Sequence, residues 1–128
     1  MKCFICSESQ PCFYLSFAEE GEEGDKVILQ RFNQQPKQLF CLYNDYILSS
    51  QNENCISSLS TSAKGEQLIS KKFQNEPSQF FHFTPEGYIK NNNGLILTVK
   101  QPVTEGSPVI LGKLKDSTAF KWRVVTRK

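Results

Sequence analysis

The sequence predicts an all-β fold written as three copies of one unit, and three observations carry that reading. EGDKVIL at 23–29 returns as EGSPVIL at 105–111, with a weaker echo, KGEQLIS, midway between them at 64–70. The apolar stretches are short, rich in Val, Ile, Phe and Tyr, and separated by clusters of Gly, Pro, Asn and Ser, which is the patterning of strands and turns. No segment sustains apolar residues at i, i+3, i+4 and i+7 long enough for an amphipathic helix, so helical solenoids of similar period are excluded.

Laid on itself at a shift of 41, the chain aligns without gaps over 12–43 of the first copy. Leu15, Ile56 and Leu97 share a column, as do Gly24, Gly65 and Gly106. Val27, Leu68 and Val109 follow, then Ile28, Ile69 and Ile110, then Phe32, Phe73 and Leu114. Gln38 and Gln79 coincide with Phe120, and Phe40, Phe81 and Trp122 close the unit. A one-residue adjustment adds Phe4-Ile5, Tyr46-Ile47 and Tyr88-Ile89. The units run over 1–43, 44–85 and 86–128 of a single domain.

Each unit holds about four strands. In the third they are expected at 88–91, 95–100, 109–114 and 120–125. Asn-Asn-Asn-Gly at 91–94 and Pro-Glu-Gly at 85–87 read as turns, and the three column glycines are expected at positive φ. A propeller blade has this length and strand number, but propellers close with four or more blades. Three copies fit a β-trefoil of about twelve strands. Each unit then gives two strands to a six-stranded barrel and two to a triangular cap of hairpins, and closure removes open edges. Phe40, Phe81 and Trp122 are expected to meet at the threefold axis, each worth about 1.5–3 kcal/mol of burial.

Composition narrows the function. With 128 residues and 38% hydrophobic content, the chain supports one core. The net charge of +2 calls for no polyanion. Acids gather within 1–25 and bases within 113–128, and both clusters read as solvated faces. Cys3, Cys6, Cys12, Cys41 and Cys55 are odd in number and do not follow the repeat, so free thiols in a reducing compartment are expected. No signal peptide and no membrane span are legible, and a cytoplasmic location is expected.

Gln38-Leu39-Phe40, Gln79-Phe80-Phe81 and Phe120-Lys121-Trp122 resemble the Gln-x-Trp signature of ricin B-type lectins. The third unit adds Gly-Leu-x-Leu-x-Val and Gly-x-Pro-Val-x-Leu strands like theirs. The resemblance implies a β-trefoil in which Gln38 and Gln79 tie a loop to the backbone, while Phe40, Phe81 and Trp122 pack the core. It also implies a binding slot per repeat: an Asp, a stacking aromatic and an Asn. Here the Asp slot holds Ser16, Ser57 and Thr98. The aromatic slot holds Gln30, Lys71 and Gly112, and the Asn slot holds Lys37, Ser78 and Ala119. A hydroxyl in place of a carboxylate forgoes the charge-assisted bond. The best-furnished slot is in repeat three, around Thr98, Gly112, Lys113 and Asp116, with Ser16 and Gln30 forming its counterpart in repeat one.

Other constellations weigh less. His82 is the one histidine, and a catalytic use would need a nucleophile and an acid beside it. Cys3-x-x-Cys6 lacks the second pair of a zinc site, so neither metal nor cofactor is expected. Alternation turns Ile28, Ile69 and Ile110 away from the core, either beneath loops or into apolar patches for a protein partner. Nucleic acid is not expected, because the aromatics fall in the buried columns of the repeat. The sequence thus reads as a non-catalytic lectin-type module for a glycan or glycoconjugate. The alternative is a trefoil for protein–protein interaction (inhibitor, actin-binding or cytokine-like), using the Ile surface or the loop around Glu19–Glu23.

Overall fold

The computed structural model describes residues 2–62, 64–114 and 120–127. Repeat one contributes β1 (Lys2–Ser7), β2 (Phe13–Phe17), β3 (Val27–Arg31) and β4 (Phe40–Tyr43). Repeat two contributes β5 (Tyr46–Ser49), β6 (Asn54–Ser57), β7 (Ile69–Lys72) and β8 (His82–Phe83). Repeat three contributes β9 (Ile89–Lys90), β10 (Leu95–Val99), β11 (Val109–Lys113) and β12 (Trp122–Thr126). Short 3-10 turns at Pro36–Gln38 and Pro77–Gln79 start on proline, whose fixed φ suits that position. The four strands foreseen in repeat three are all present, each within two or three residues of its expected bounds.

The connectivity is that of a β-trefoil. β1, β4, β5, β8, β9 and β12 form the barrel. Antiparallel ladders join β1 to β4, β4 to β5 and β8 to β9, and β12 closes on β1 with Phe4 opposite Val125. The two remaining seams are bridged by backbone bonds, from the Phe81 N–H to the Asp45 carbonyl at 2.7 Å and from the Trp122 N–H to the Gly87 carbonyl at 2.8 Å. β2–β3, β6–β7 and β10–β11 are the cap hairpins. The β4–β5 turn is the two-residue kind with Asn44 and Asp45 both at positive φ (48° and 66°), whose twist matches the flanking strands.

The cap is held by a ring of hydrogen bonds. Gly24 donates to the Ser70 carbonyl at 2.8 Å, Gly65 to Leu111 at 2.8 Å and Gly106 to Leu29 at 2.7 Å. Each repeat therefore grips the next, and the third returns to the first. The glycines sit at φ 92°, 83° and 88°, and a Cβ built at any of them meets nothing within 4 Å. Conformation rather than space demands glycine there.

Phe40, Phe81 and Trp122 are buried in one core with Ile5, Ile47 and Ile89 and with Leu15, Ile56 and Leu97. Their ring contacts differ from the expected trio. Phe40 packs on Phe17 at 5.5 Å and Trp122 on Phe120 at 4.9 Å, because neighbouring rings of the same repeat reach the space first. The indole N–H of Trp122 donates to the Leu97 carbonyl at 3.1 Å, which satisfies its one polar atom. Ile28, Ile69 and Ile110 are half-buried. Their backbones bridge to Pro108, Lys26 and Gln67 of adjacent hairpins, so they line the seams of the cap rather than a free patch. All five cysteines are free, and burial pushes the Cys3 thiol up to about 11.

Trp122→Ala is expected to cost about 3–5 kcal/mol in denaturant unfolding, since it leaves a cavity among relaxed-resistant neighbours; an unchanged midpoint would place the indole outside the core. Gly106→Ala is expected to cost about 1–2 kcal/mol, the left-handed penalty of an L residue, and Gly24→Ala and Gly65→Ala a matching amount. Three clearly unequal losses would show that the ring does not bear on the three hairpins alike.

Candidate functional site

The three family slots lie on the cap hairpins, and Ser16, Ser57 and Thr98 in them are buried. In repeat one Ser16 is buried, its hydroxyl 2.9 Å from the Phe17 carbonyl and 3.3 Å from Oε1 of Gln30. The pair is diagonal across the β2–β3 ladder, where long side chains reach. In repeat two the Ser57 hydroxyl donates to the Cys55 carbonyl at 3.3 Å and accepts from Nε2 of Gln79 at 3.2 Å. In repeat three Thr98 is 1% exposed, and a Cβ added at Gly112 would fall 2.8 Å from its methyl. A stacking ring in the Gly112 position would therefore collide with Thr98. Of the residues foreseen for sugar contact, Ser16, Thr98 and Gly112 are buried, Gln30 is half-buried beside Ser16, and Lys113 is exposed. Asp116 lies outside the described residues.

The two glutamines act as loop clamps. Gln38 donates to the Arg31 carbonyl at 2.8 Å and accepts from the Asn33 N–H at 3.0 Å. Gln79 repeats the pattern with Lys72 at 2.8 Å and Gln74 at 2.9 Å. Both loops pass through a left-handed residue one position on, Gln34 (φ 61°) and Asn75 (φ 54°). In repeat three Phe120 replaces the amide and packs on Trp122 instead.

An open recess lies elsewhere, below the first clamp. A groove of about 560 Å³ runs between β1, β2, the loop after β3 and the end of β12. Phe4, Tyr14 and Phe32 make its floor. Phe32 lies 4.5 Å from Tyr14 with their planes only 32° apart, and Phe4 meets Phe32 edge-on at 5.0 Å. Leu39, Gln34 and Arg127 also line it. Phe32 is 39% exposed and Val125, on the far wall, 37%. The Phe32 column was read from sequence as buried. It is half open because alternation from Val27 and Leu29 puts it on the outward side, in phase with Ile28 and Gln30. Burial pushes the Tyr14 phenol up, so it stays a neutral donor.

The same columns are filled differently in the other repeats. In repeat two Phe80 stands for Leu39, and the Tyr46 ring leans edge-on against Phe73 at 4.9 Å and Phe80 at 6.1 Å. The Tyr46 hydroxyl donates to Asn75, the counterpart of Gln34. In repeat three Lys121 takes the Leu39 column, and its Nζ sits 5.6 Å over the Tyr88 ring.

His82 faces Asp45, with Nδ1 3.4 Å from Oδ2, and both are exposed. Cys41, in the same column one repeat earlier, lies on β4 opposite Lys2 and Leu48. Among the described residues no group of three His, Cys, Asp or Glu is placed to hold a metal.

Barrel, hairpin cap and glutamine clamps together define a β-trefoil of the lectin type. The model of the ricin-type beta-trefoil lectin domain matches residues 6–122, and the chain belongs to that family. Among curated proteins, no sequence matches it. In solved structures the fold recurs in a mosquitocidal holotoxin, with a TM-score of 0.85 and 15% identity over 100% of this chain; the chain spans 17% of that protein. The earthworm R-type lectin C-half in complex with GalNAc has a TM-score of 0.81 and 18% identity, over 98% of each chain. The designed 3-fold symmetric protein ThreeFoil has a TM-score of 0.81 and 16% identity, over 98% of this chain and 99% of its own.

Replacing Gln79 by Ala orphans the Lys72 carbonyl and the Gln74 N–H at once. A loss of about 1–3 kcal/mol is expected for each such group that stays buried. An unaltered urea midpoint would show that water substitutes freely and that the clamp is incidental.

Proposed function

We propose that the chain is a non-catalytic carbohydrate-binding module that recognises a glycan or glycoconjugate on a shallow, open surface. Its membership of the ricin-type lectin family over 6–122 carries this reading. The recesses support it: they are open and run from about 290 to 560 Å³, a size for one or a few sugar rings rather than an enclosing cleft. The earthworm relative of this fold was captured with GalNAc, which gives the class of ligand to try first. Because Ser16, Ser57 and Thr98 are spent on internal contacts, binding by this chain does not use the family's slots in their usual chemistry. A reducing compartment, the cytoplasm, suits five free cysteines, three of them buried.

A protein partner remains the second reading, on one specific observation. The acidic loop over 19–25 is pre-shaped. The Asp25 carboxylate accepts from the N–H groups of Glu19 and Gly21, and the Gly21 carbonyl accepts from Ser70 and Asn54. The glutamates are thereby held outward on a fixed backbone.

A glycan array probed at high-micromolar protein separates the two. Binding to a defined set of neutral or acidic glycans, competed by the free sugar, is expected; silence across the array would remove the lectin reading and leave the loop as the surface to pursue.

A further inference from the structure

We infer that the groove of repeat one is the saccharide site of this chain, and that its ligand carries an acidic group, a carboxylate or a sulfate. The inference rests on the lectin reading above and adds to it a location and a ligand class. Three observations converge. First, the groove is lined by a packed pair of rings, Phe32 and Tyr14, tilted 32° to one another, with Phe32 39% exposed. A pyranose has one face of C–H groups, and the exposed part of the Phe32 ring takes that face without unpairing any hydroxyl. Secondly, polar residues are among those that line it: Gln34, Thr126 and Arg127. Ring hydroxyls pointing outward from a stacked sugar meet groups of that kind.

Thirdly, the charge is one-sided. No Asp or Glu lines the groove, and no carboxylate pairs with Arg127 among the described residues. The backbone of Arg127 is fixed, its N–H donating to the Lys2 carbonyl at 3.2 Å. Arg123 approaches from the same strand, opposite Cys6 and near Tyr14. Arg31, by contrast, is engaged with Glu105 and with the ring of Phe13. A planar, permanently charged guanidinium with no internal partner binds a carboxylate or sulfate through paired N–H donors. Symmetry supplies the control. Repeat two puts Phe80 in the Leu39 column, where the Tyr46 ring packs on it, so the fold alone does not dictate the groove of repeat one.

The test is a set of titrations of the isotope-labelled full chain, followed by amide shifts, with lactose, sulfated lactose, sialyllactose and sodium sulfate. At least one acidic sugar is expected to bind ten-fold or more tighter than lactose, with shifts centred on Tyr14, Phe32 and Arg127. Phe32→Ala is expected to weaken every bound sugar at least ten-fold. Arg127→Gln is expected to erase the acidic preference while keeping the neutral affinity. Leu39→Phe, which writes repeat two's residue into repeat one, is expected to block the groove; Arg127→Gln, on the surface, carries the test should either core-side variant melt early. Acidic sugars bound equally well by Phe32→Ala and Arg127→Gln would overturn the location while leaving the lectin reading intact. Equal affinity for lactose and its acidic forms would overturn the ligand class. Sodium sulfate matching the sugars would reduce the site to an anion contact and overturn the saccharide assignment. Silence with every sugar here and on the array would sink the lectin reading itself.

Discussion

The structure depends on a closed ring of three backbone hydrogen bonds, from Gly24 to Ser70, Gly65 to Leu111 and Gly106 back to Leu29. A lone two-stranded hairpin is marginal in water, and none of the three cap hairpins has a second sheet to lie on. Each is instead completed by its neighbour. The left-handed glycine turns the chain so that its N–H points across the seam, and the β12–β1 ladder closes the barrel beneath by the same logic.

A frame closed by backbone leaves the outer side chains free to diverge, and function lives in that divergence. The core columns keep their character in all three repeats: Ile5, Ile47 and Ile89 are alike, and so are Leu15, Ile56 and Leu97. The outer columns do not. Position 39 and its counterparts hold Leu, Phe and Lys, and columns around it change as well, Phe4 to Tyr46 and Tyr88 and Phe32 to Phe73 and Leu114. The slots have gone the other way. Ser16, Ser57 and Thr98 are all buried, and Gln30 and Gln79 bond the two serines.

Much of this frame is legible in the sequence because it is set by local demands that recur at a fixed spacing. Glycine at positive φ, alternation in Val27-Ile28-Leu29 and the Gln of Gln-x-Phe each leave a mark in every copy or in two of three. The site is less legible for a physical reason. Its floor draws Phe4, Tyr14 and Phe32 from one repeat, but Val125 and Arg127 come from the far end of the chain, and only barrel closure brings them together. Phe32 is expected in the interior because it is aromatic, whereas alternation from Val27 and Leu29 sets it outward. The closure of the slots was hidden for a related reason: a serine reads the same whether it faces water or a glutamine across the ladder.

The most direct measurement is a crystal of the full chain soaked with a mixed panel of neutral and acidic sugars. Density for a pyranose lying flat on Phe32, with an acidic group at Arg127 and nothing over Ser16, Ser57 or Thr98, is the expected result. A sugar seated in any of those three slots, with the groove empty, would contradict the account.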